Sequence, residues 1–256
     1  MSYTAALLVI LLIAIAAAAA TIGARRILDI DIRRQHHEIG NPVYLQIGVV
    51  FAVLLAFVFS EVWGEYNVAA QAINGECGAL HGAAILAHSL PDKQGLGVEQ
   101  AIQSYARVVI NVEWATLERR RANPEATIAF EAVAEAAGHL NVMRPADAAV
   151  QGQILSLVAQ AHAFRETRAF QANRGLPVVI WLVLASYALI LVLFVLFAGV
   201  ASLAGHLLFT VSFAVSVALV LILVRMLDYP FEGALALSSD DFVKTLERVS
   251  ALIGAS

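Results

Sequence analysis

Residues 176–224 read LPVVIWLVLASYALILVLFVLFAGVASLAGHLLFTVSFAVSVALVLILV, 49 positions without one Asp, Glu, Lys or Arg. A helix needs about 20 mostly apolar residues to cross the hydrocarbon of a bilayer. The stretch therefore holds two passes, Leu176 to Ala198 and Leu203 to Val224, joined by little more than Gly199 to Leu203. A connection that short makes the two helices antiparallel neighbours. Working outward, Tyr3 to Gly23 and Val43 to Ser60 are equally free of charge, which brings the number of passes to four. The alternative of buried helices in a water-soluble protein fails on composition. The chain is 60% hydrophobic and 14% charged, against roughly 25% charged in ordinary soluble domains, and its mean hydropathy is +0.78.

The fold expected is all-α: an integral membrane protein with four transmembrane helices, two plus two, and a helical extramembrane domain inserted between the pairs. Residues 1–62 hold the first pair, 63–175 the inserted domain, 176–227 the second hairpin and 228–256 a C-terminal segment with a short helix. The first run reads as an uncleaved span, because Met1 to Thr4 lack the positive charge of a signal peptide. Arg25 and Arg26 stop that span at the interface. Ala24 to Pro42, with its arginines, acids and closing Asn41-Pro42, is expected to be a short interfacial connector.

The polar middle reads as helices over Val68–Leu90, Gly97–Ala122, Glu125–Leu140 and Ala146–Asn173, with breaks at Pro91, Pro124 and Pro145. Val98, Ile102, Tyr105, Val109 and Val112 recur at helical steps, as do Ile154, Leu157, Ala161 and Phe164. Gly75, Gly78 and Gly82, flanked by Ala79 and Ala83, form a small-residue stripe that suits either an oligomer contact or packing within one subunit. After the fourth span Pro230 blocks further helix, and Ser238 to Val249 reads as a short helix capped by Ser239 or Asp240.

Function classes can be struck off. A net charge of −4 gives no basic field for nucleic acid, and no nucleic-acid motif is present. No nucleophile elbow, Walker loop, dinucleotide fingerprint or zinc-protease motif occurs, so no enzyme activity and no cofactor are expected. Hydroxyls within spans, such as Ser186, Thr210, Ser212 and Ser216, are expected to bond helix carbonyls. A lone Cys77 can make neither an internal disulfide nor a multi-cysteine metal site. His36-His37-Glu38 is the one cluster with ligand chemistry, but adjacent helical histidines diverge. His81 and His88 are too far apart to chelate together. Arg119 to Arg121 suit anionic headgroups or plain solvation.

A resemblance is carried by Trp63-Gly-Glu-Tyr66 at the end of the second span, Glu76, Glu113-Trp114, the Leu176-Pro177 approach with Trp181, and Asp228-Tyr-Pro-Phe-Glu-Gly233 with Pro230 and Phe231 at its centre. In order and spacing these residues resemble the bestrophin-like family of bacterial membrane proteins, the DUF4239 group, and more distantly the bestrophin anion channels. That likeness implies a pentameric, chloride-conducting homo-oligomer in the inner membrane, with lipid and permeant ions as its partners and the inserted domain and both termini cytoplasmic. Arginines near the span ends are balanced between the two sides and do not fix the orientation. The family's acidic run is reduced here to Asp240 and Asp241, weak candidates for a metal, and a Glu interrupts the Pro-Phe-Gly segment.

Matching Trp63 and Tyr66 to the end of the family's pore helix places an apolar neck at Leu45, Val49 and Val53. Their spacing of four puts them on one helix face, and rings of such residues can gate ions by dewetting. The same residues also suit a lipid-facing or helix-packing role. Glu61 and Glu65, one turn apart, read either as a carboxylate ring at the pore end or as solvated groups past the headgroups. The alternative to a channel is a non-conducting scaffold or sensor that presents the helical domain to a partner.

Overall fold

The computed structural model describes residues 1–27, 30–121, 123–141 and 144–255; the side chains of 30–39 and 255 lie outside the description, and with them the His36-His37-Glu38 cluster. Every element among the described residues is helical: α1 Tyr3–Ile27, α2 Ile30–His88, α3 Leu96–Val108, α4 Trp114–Leu117, α5 Pro124–Gly138, α6 Pro145–Asn173, α7 Val178–Leu196, α8 Leu203–Leu227 and α9 Asp240–Ala255. A 3₁₀ turn, Pro91–Lys93, follows α2, and a π-helical turn, Val109–Glu113, joins α3 to α4. Among the described residues four helices are long and apolar enough to cross a membrane, within Tyr3–Ile27, Gly40–His88, Val178–Leu196 and Leu203–Leu227.

Two compact units divide the chain. One comprises Met1–Gly64 with Gly175–Asp228 and the other Glu65–Arg174 with Tyr229–Ser256. In the first, α1 and α7 each pack along α8. The buried residues of α1 are Ala6, Ala17, Thr21 and Ala24, and those of α8 include Thr210, Ala214 and Ala218. Small side chains let the backbones approach closely where lipid supplies no hydrophobic drive; of the alanine run, Ala17 serves this contact while Ala16, Ala19 and Ala20 are exposed. The upper turns of α2 join this unit through rings: Tyr44 lies against Phe194 and Phe213, and Phe51 stacks on Tyr187. Arg25 donates to the carbonyls of Val200, Ala201 and Ser202, tying the end of α1 to the α7–α8 turn. Leu7, Leu12, Val178 and Leu208 stay largely exposed. Apolar surface on that scale needs hydrocarbon around it.

In the second unit, residues 65–88 of α2 meet a core built by α3, α5, α6 and α9, centred on Leu80, Ile102, Tyr105, Val133, Ile154 and Phe242. Pro124 and Pro145 are the first helical residues of α5 and α6, where the missing N–H has no intrahelical partner. The Asn123 side chain accepts from the N–H groups of Glu125 and Ala126, satisfying donors the helix start would leave unpaired.

Several expectations need correction. No separate connector ends at Asn41-Pro42 and no new helix begins at Val68; α2 runs through both points with Pro42 inside it. A proline costs one backbone hydrogen bond, which neighbouring groups can re-satisfy in a membrane helix. Val112 is only partly buried; Glu113 and then Leu117 take the inward face after Val109. The π turn explains this, since one extra residue per turn shifts the inward register. Phe164 is exposed, and the inward face of α6 continues from Ile154, Val158 and Ala161 to Arg165 and Arg168. The C-terminal helix runs on to Ala255, and the Ser239 carbonyl accepts from Val243 N–H at its start.

Two glycines a short step apart give opposite expectations. A Cβ at Gly95 would sit 1.9 Å from the Ala87 carbonyl oxygen, whereas nothing lies within 4 Å of one at Gly97. Gly95→Ala should destabilise by about 1–3 kcal/mol or more because backbone must move. Gly97→Ala should be neutral or stabilise by up to about 1 kcal/mol. Thermal unfolding of the purified variants in detergent checks the contrast.

Candidate functional site

On the unit that contains the spans, α2 presents a row at four-residue steps: Leu45, Val49 and Val53 are 57%, 59% and 51% exposed, and Phe57 and Glu61 continue it. The opposite side of α2 is closed, with Phe51, Val58 and Val62 buried. Trp63 is exposed and stacks on Phe59. The subunit itself therefore leaves the row of the expected neck uncovered. Glu65 does not share the setting of Glu61. It belongs to the other unit and pairs with Arg174, Nε to Oε1 at 2.8 Å.

Inside the second unit lies an arrangement of charge that the sequence reading missed. Glu76 from α2, Tyr105 from α3, Glu113 from the π turn and Arg168 from α6 are each at most 2% exposed. Arg168 Nε donates to Glu76 Oε2 at 2.8 Å and its Nη2 to Glu113 Oε2 at 2.8 Å. The Tyr105 hydroxyl donates to Glu76 Oε1 and accepts from Arg168 Nη2 at 3.3 Å. Arg165 Nη2 reaches the other Glu113 oxygen at 3.3 Å and Thr127 Oγ1 at 3.0 Å. Two carboxylates thus meet two guanidiniums, which answers the several-kcal/mol cost of burying each ion. Arg168 also lies over the rings of Phe242 and Trp114, 5.3 and 5.7 Å from their centroids.

Titration follows this geometry. Burial, then the Glu76 carboxylate, push the Tyr105 hydroxyl well above 10 and keep it a donor. For Arg168 burial alone would lower the value, but Glu76 foremost outweighs it and the guanidinium stays charged. Burial also pushes the Cys77 thiol up to about 12, far from the thiolate range of reactive cysteines.

The remaining motif residues fasten the segment after the fourth span. Asp228, 3% exposed, accepts from the Leu176 N–H at 2.7 Å, so the two ends of the α7–α8 hairpin are tied beside Pro177 and Trp181. In the second unit Phe231 meets the Trp114 ring edge to face. Trp114 Nε1 donates to the Leu237 carbonyl at 3.1 Å and the Tyr66 hydroxyl to the Leu235 carbonyl at 3.0 Å. Gly233 turns the chain at φ 89°, a region costing other residues roughly 1–2 kcal/mol. The Pro230 carbonyl closes this loop by accepting from Leu237 N–H at 2.8 Å. Arg120 stacks over Tyr229 at 3.3 Å and pairs with Glu232, while Arg119 and Arg121 are exposed. Ser186, Thr210 and Ser216 donate to carbonyls four residues back, as expected.

Asp241 pairs with Lys244 at 3.2 Å. Among the described residues no three His, Cys, Asp or Glu side chains converge, so nothing joins Asp240 and Asp241 in a ligand set. The glycine stripe packs within the subunit at two points. Phe164 lies over Gly75 and Leu157 over Gly82, while Gly78 faces open space.

The chain thus combines a long apolar helix that carries Trp63 and Tyr66, a buried Glu76 and Glu113, and a pinned Asp228-to-Gly233 segment. The sequence of the Bestrophin-like domain matches residues 11–242. The chain belongs to the bestrophin-like family. No curated protein matches it. Among solved structures, a mutant of a bacterial bestrophin homologue from Klebsiella pneumoniae is 14% identical, with a TM-score of 0.77 over 96% of this chain and 99% of that one. A second structure of the Klebsiella pneumoniae homologue, phased on zinc, is 13% identical, with a TM-score of 0.73 over 96% and 98%. A structure described as a membrane protein is 15% identical, also at 0.73 over 96% and 98%. At such identity the likeness shows the fold: this bestrophin-like protein is an all-helical membrane protein built on the bestrophin scaffold.

The buried network carries two predictions. Arg168→Leu leaves the buried Glu76 carboxylate without its cation and should cost about 3–5 kcal/mol, with part recovered by adding Glu76→Gln; denaturant unfolding in detergent measures both. Raised folded values for Tyr105 and Cys77 mean that the fold holds protons the unfolded chain releases. Their stabilisation is complete below about pH 9 and is lost as the pH climbs through 9 towards 12 and beyond. Cys77→Ala should flatten the first part of that decline in unfolding free energy against pH.

Proposed function

We propose that this bestrophin-like protein is the subunit of a homo-oligomeric, pentameric channel that passes chloride and related anions across the inner membrane. Its two helix pairs flank the inserted helical domain, and its neck is lined by Leu45, Val49 and Val53. The observation that carries this reading is the uncovered row on α2. Three apolar side chains at steps of four are each more than half exposed, while Phe51, Val58 and Val62 on the opposite side are buried. Five copies around an axis would stack those residues into three apolar rings, and a narrow apolar ring restricts ions by shedding water. Glu61 continues the row and sets a carboxylate at its end.

Planar-bilayer recording of the purified protein tests the proposal. Val49→Ala and Val53→Ala widen the neck and should raise chloride conductance several-fold; Glu61→Gln should move the reversal potential in a salt gradient towards that of chloride. A wild-type protein silent at every voltage and ion tried would favour the scaffold reading. The same proposal puts the inserted domain and both termini in the cytoplasm. Because Cys77 is 5% exposed with its thiol held protonated, it supplies a silent background for labelling. Glu131→Cys, at an exposed position of α5, should then react with an impermeant maleimide only after the cells are opened. Labelling from outside intact cells would reverse the orientation.

A further inference from the structure

The corner between α2 and α3 forms a half-open pocket of about 200 Å³, lined by Ala87, His88, Leu90, Lys93, Gly95, Leu96 and Glu99. It lies wholly in the second unit and takes no part in the neck or in the Arg168 network. Glu99 is 2% exposed, and one of its oxygens, Oε1, meets His88 Nδ1 at 3.3 Å. The other, Oε2, is buried with no hydrogen-bond donor. Beside the pocket in the chain, the Gln94 side-chain oxygen is likewise buried and without a donor. Buried polar atoms are almost always bonded, so the orphan Glu99 oxygen at the lining calls for a molecule that brings a donor. The corner is also built tightly. Asp92 and Lys93 both hold positive φ, 53° and 56°, and Gly95 is pressed against the Ala87 carbonyl.

The chemistry of the lining selects the guest. A buried carboxylate excludes anions and favours a cation. The C-terminal end of α2, which closes at His88, adds the partial negative charge of a helix end. A metal ion would want four or more ligands, and no group of three His, Cys, Asp or Glu forms among the described residues. An ammonium group needs only acceptors for its N–H donors. A water molecule's share of liquid is about 30 Å³, so the pocket has room for a short alkylammonium. Lys93, exposed at the lining, is the one permanently charged cation there and competes electrostatically with any guest.

We propose that this corner is a binding site for a primary ammonium group, with Glu99 as its counter-ion and Lys93 as the charge that limits its affinity. Such a group is that of a free small amine, because the pocket lies at the far end of α2 from its membrane-spanning stretch.

Thermal unfolding of the full-length protein in detergent, titrated with methylammonium chloride against sodium chloride and tetramethylammonium chloride at equal ionic strength, is the test. Methylammonium should raise the midpoint saturably, as a ligand of the folded state does, and tetramethylammonium, which has no N–H, should not. Glu99→Gln should abolish the shift, and Lys93→Met should lower the half-saturating concentration about three- to tenfold. Should Glu99→Gln not fold, Lys93→Met and the tetramethylammonium control still decide. A midpoint that methylammonium leaves where sodium does, an equal response to tetramethylammonium, or an unchanged shift in Glu99→Gln would each overturn the proposal and leave a pocket filled by water only.

Discussion

A guanidinium with no access to water fixes how the second unit assembles. Arg168 is fully buried, and a charge in that position is tolerable only when its partners arrive with correct geometry. Glu76 must come from α2, Glu113 from the π turn and the Tyr105 hydroxyl from α3, while Phe242 of α9 and Trp114 of α4 provide ring faces. Five elements are thereby set in register by one side chain. Lysine could not replace it, because a point charge on a flexible stem cannot hold two carboxylates at 2.8 Å with a planar fork. The π turn belongs to the same device. Without its extra residue the inward face would return at Thr116 instead of Leu117, five ideal turns on from Val98.

The same helix that supplies Glu76 serves a different solvent along its earlier length. From Val43 to Phe57 one side of the helix carries exposed large residues, Val43, Leu45, Val49, Val50, Val53 and Phe57, with Phe51 buried on the other, whereas from Ala69 to Ala87 its buried face is mostly Ala with Ile73, Cys77 and Leu80. Large residues suit a surface that meets hydrocarbon or other copies. Small ones let α2 come close to neighbours, and the Phe164 ring seated over Gly75 is one result. Because no loop separates the two stretches, the change of role is written in side-chain size rather than in a chain break. That is why a reading built on breaks placed a new helix start at Val68.

What could be read from the sequence were the properties that one residue or one period decides. Charge-free length gave the four candidate spans, and prolines marked the turns before α5 and α6, because each is a local constraint. The residues of the buried network were half legible. Glu76 and Glu113 stood out by resemblance, but their partners did not, since Arg165 and Arg168 look like ordinary charges beside a span. A signal was present in retrospect: Ile154, Val158, Ala161, Arg165 and Arg168 follow one another at helical steps, so the arginines extend an apolar face. A stripe ending in two charges at its own period implies buried partners. The π turn had no local signature at all, because it answers to where Glu113 must point.

The channel reading also constrains how selectivity can arise. Leu45, Val49 and Val53 carry no charge and offer no hydrogen-bond donor, so a neck built from them cannot attract an anion by Coulomb force or replace its hydration shell. Glu61, next along the row after Phe57, would repel anions where it is ionised. Preference at such a neck then rests on the cost of removing water, which is least for large, weakly hydrated ions and greatest for small ones. Sign selection has to come from elsewhere in the assembly, from donors or cations near the path but off the row. Arg174 is already engaged by Glu65, and Arg165 and Arg168 are spent on Glu113 and Glu76. On the channel proposed above, a neck of this composition would be a barrier to hydrated ions in general, graded by the ease of dehydration, with the choice of sign made outside it.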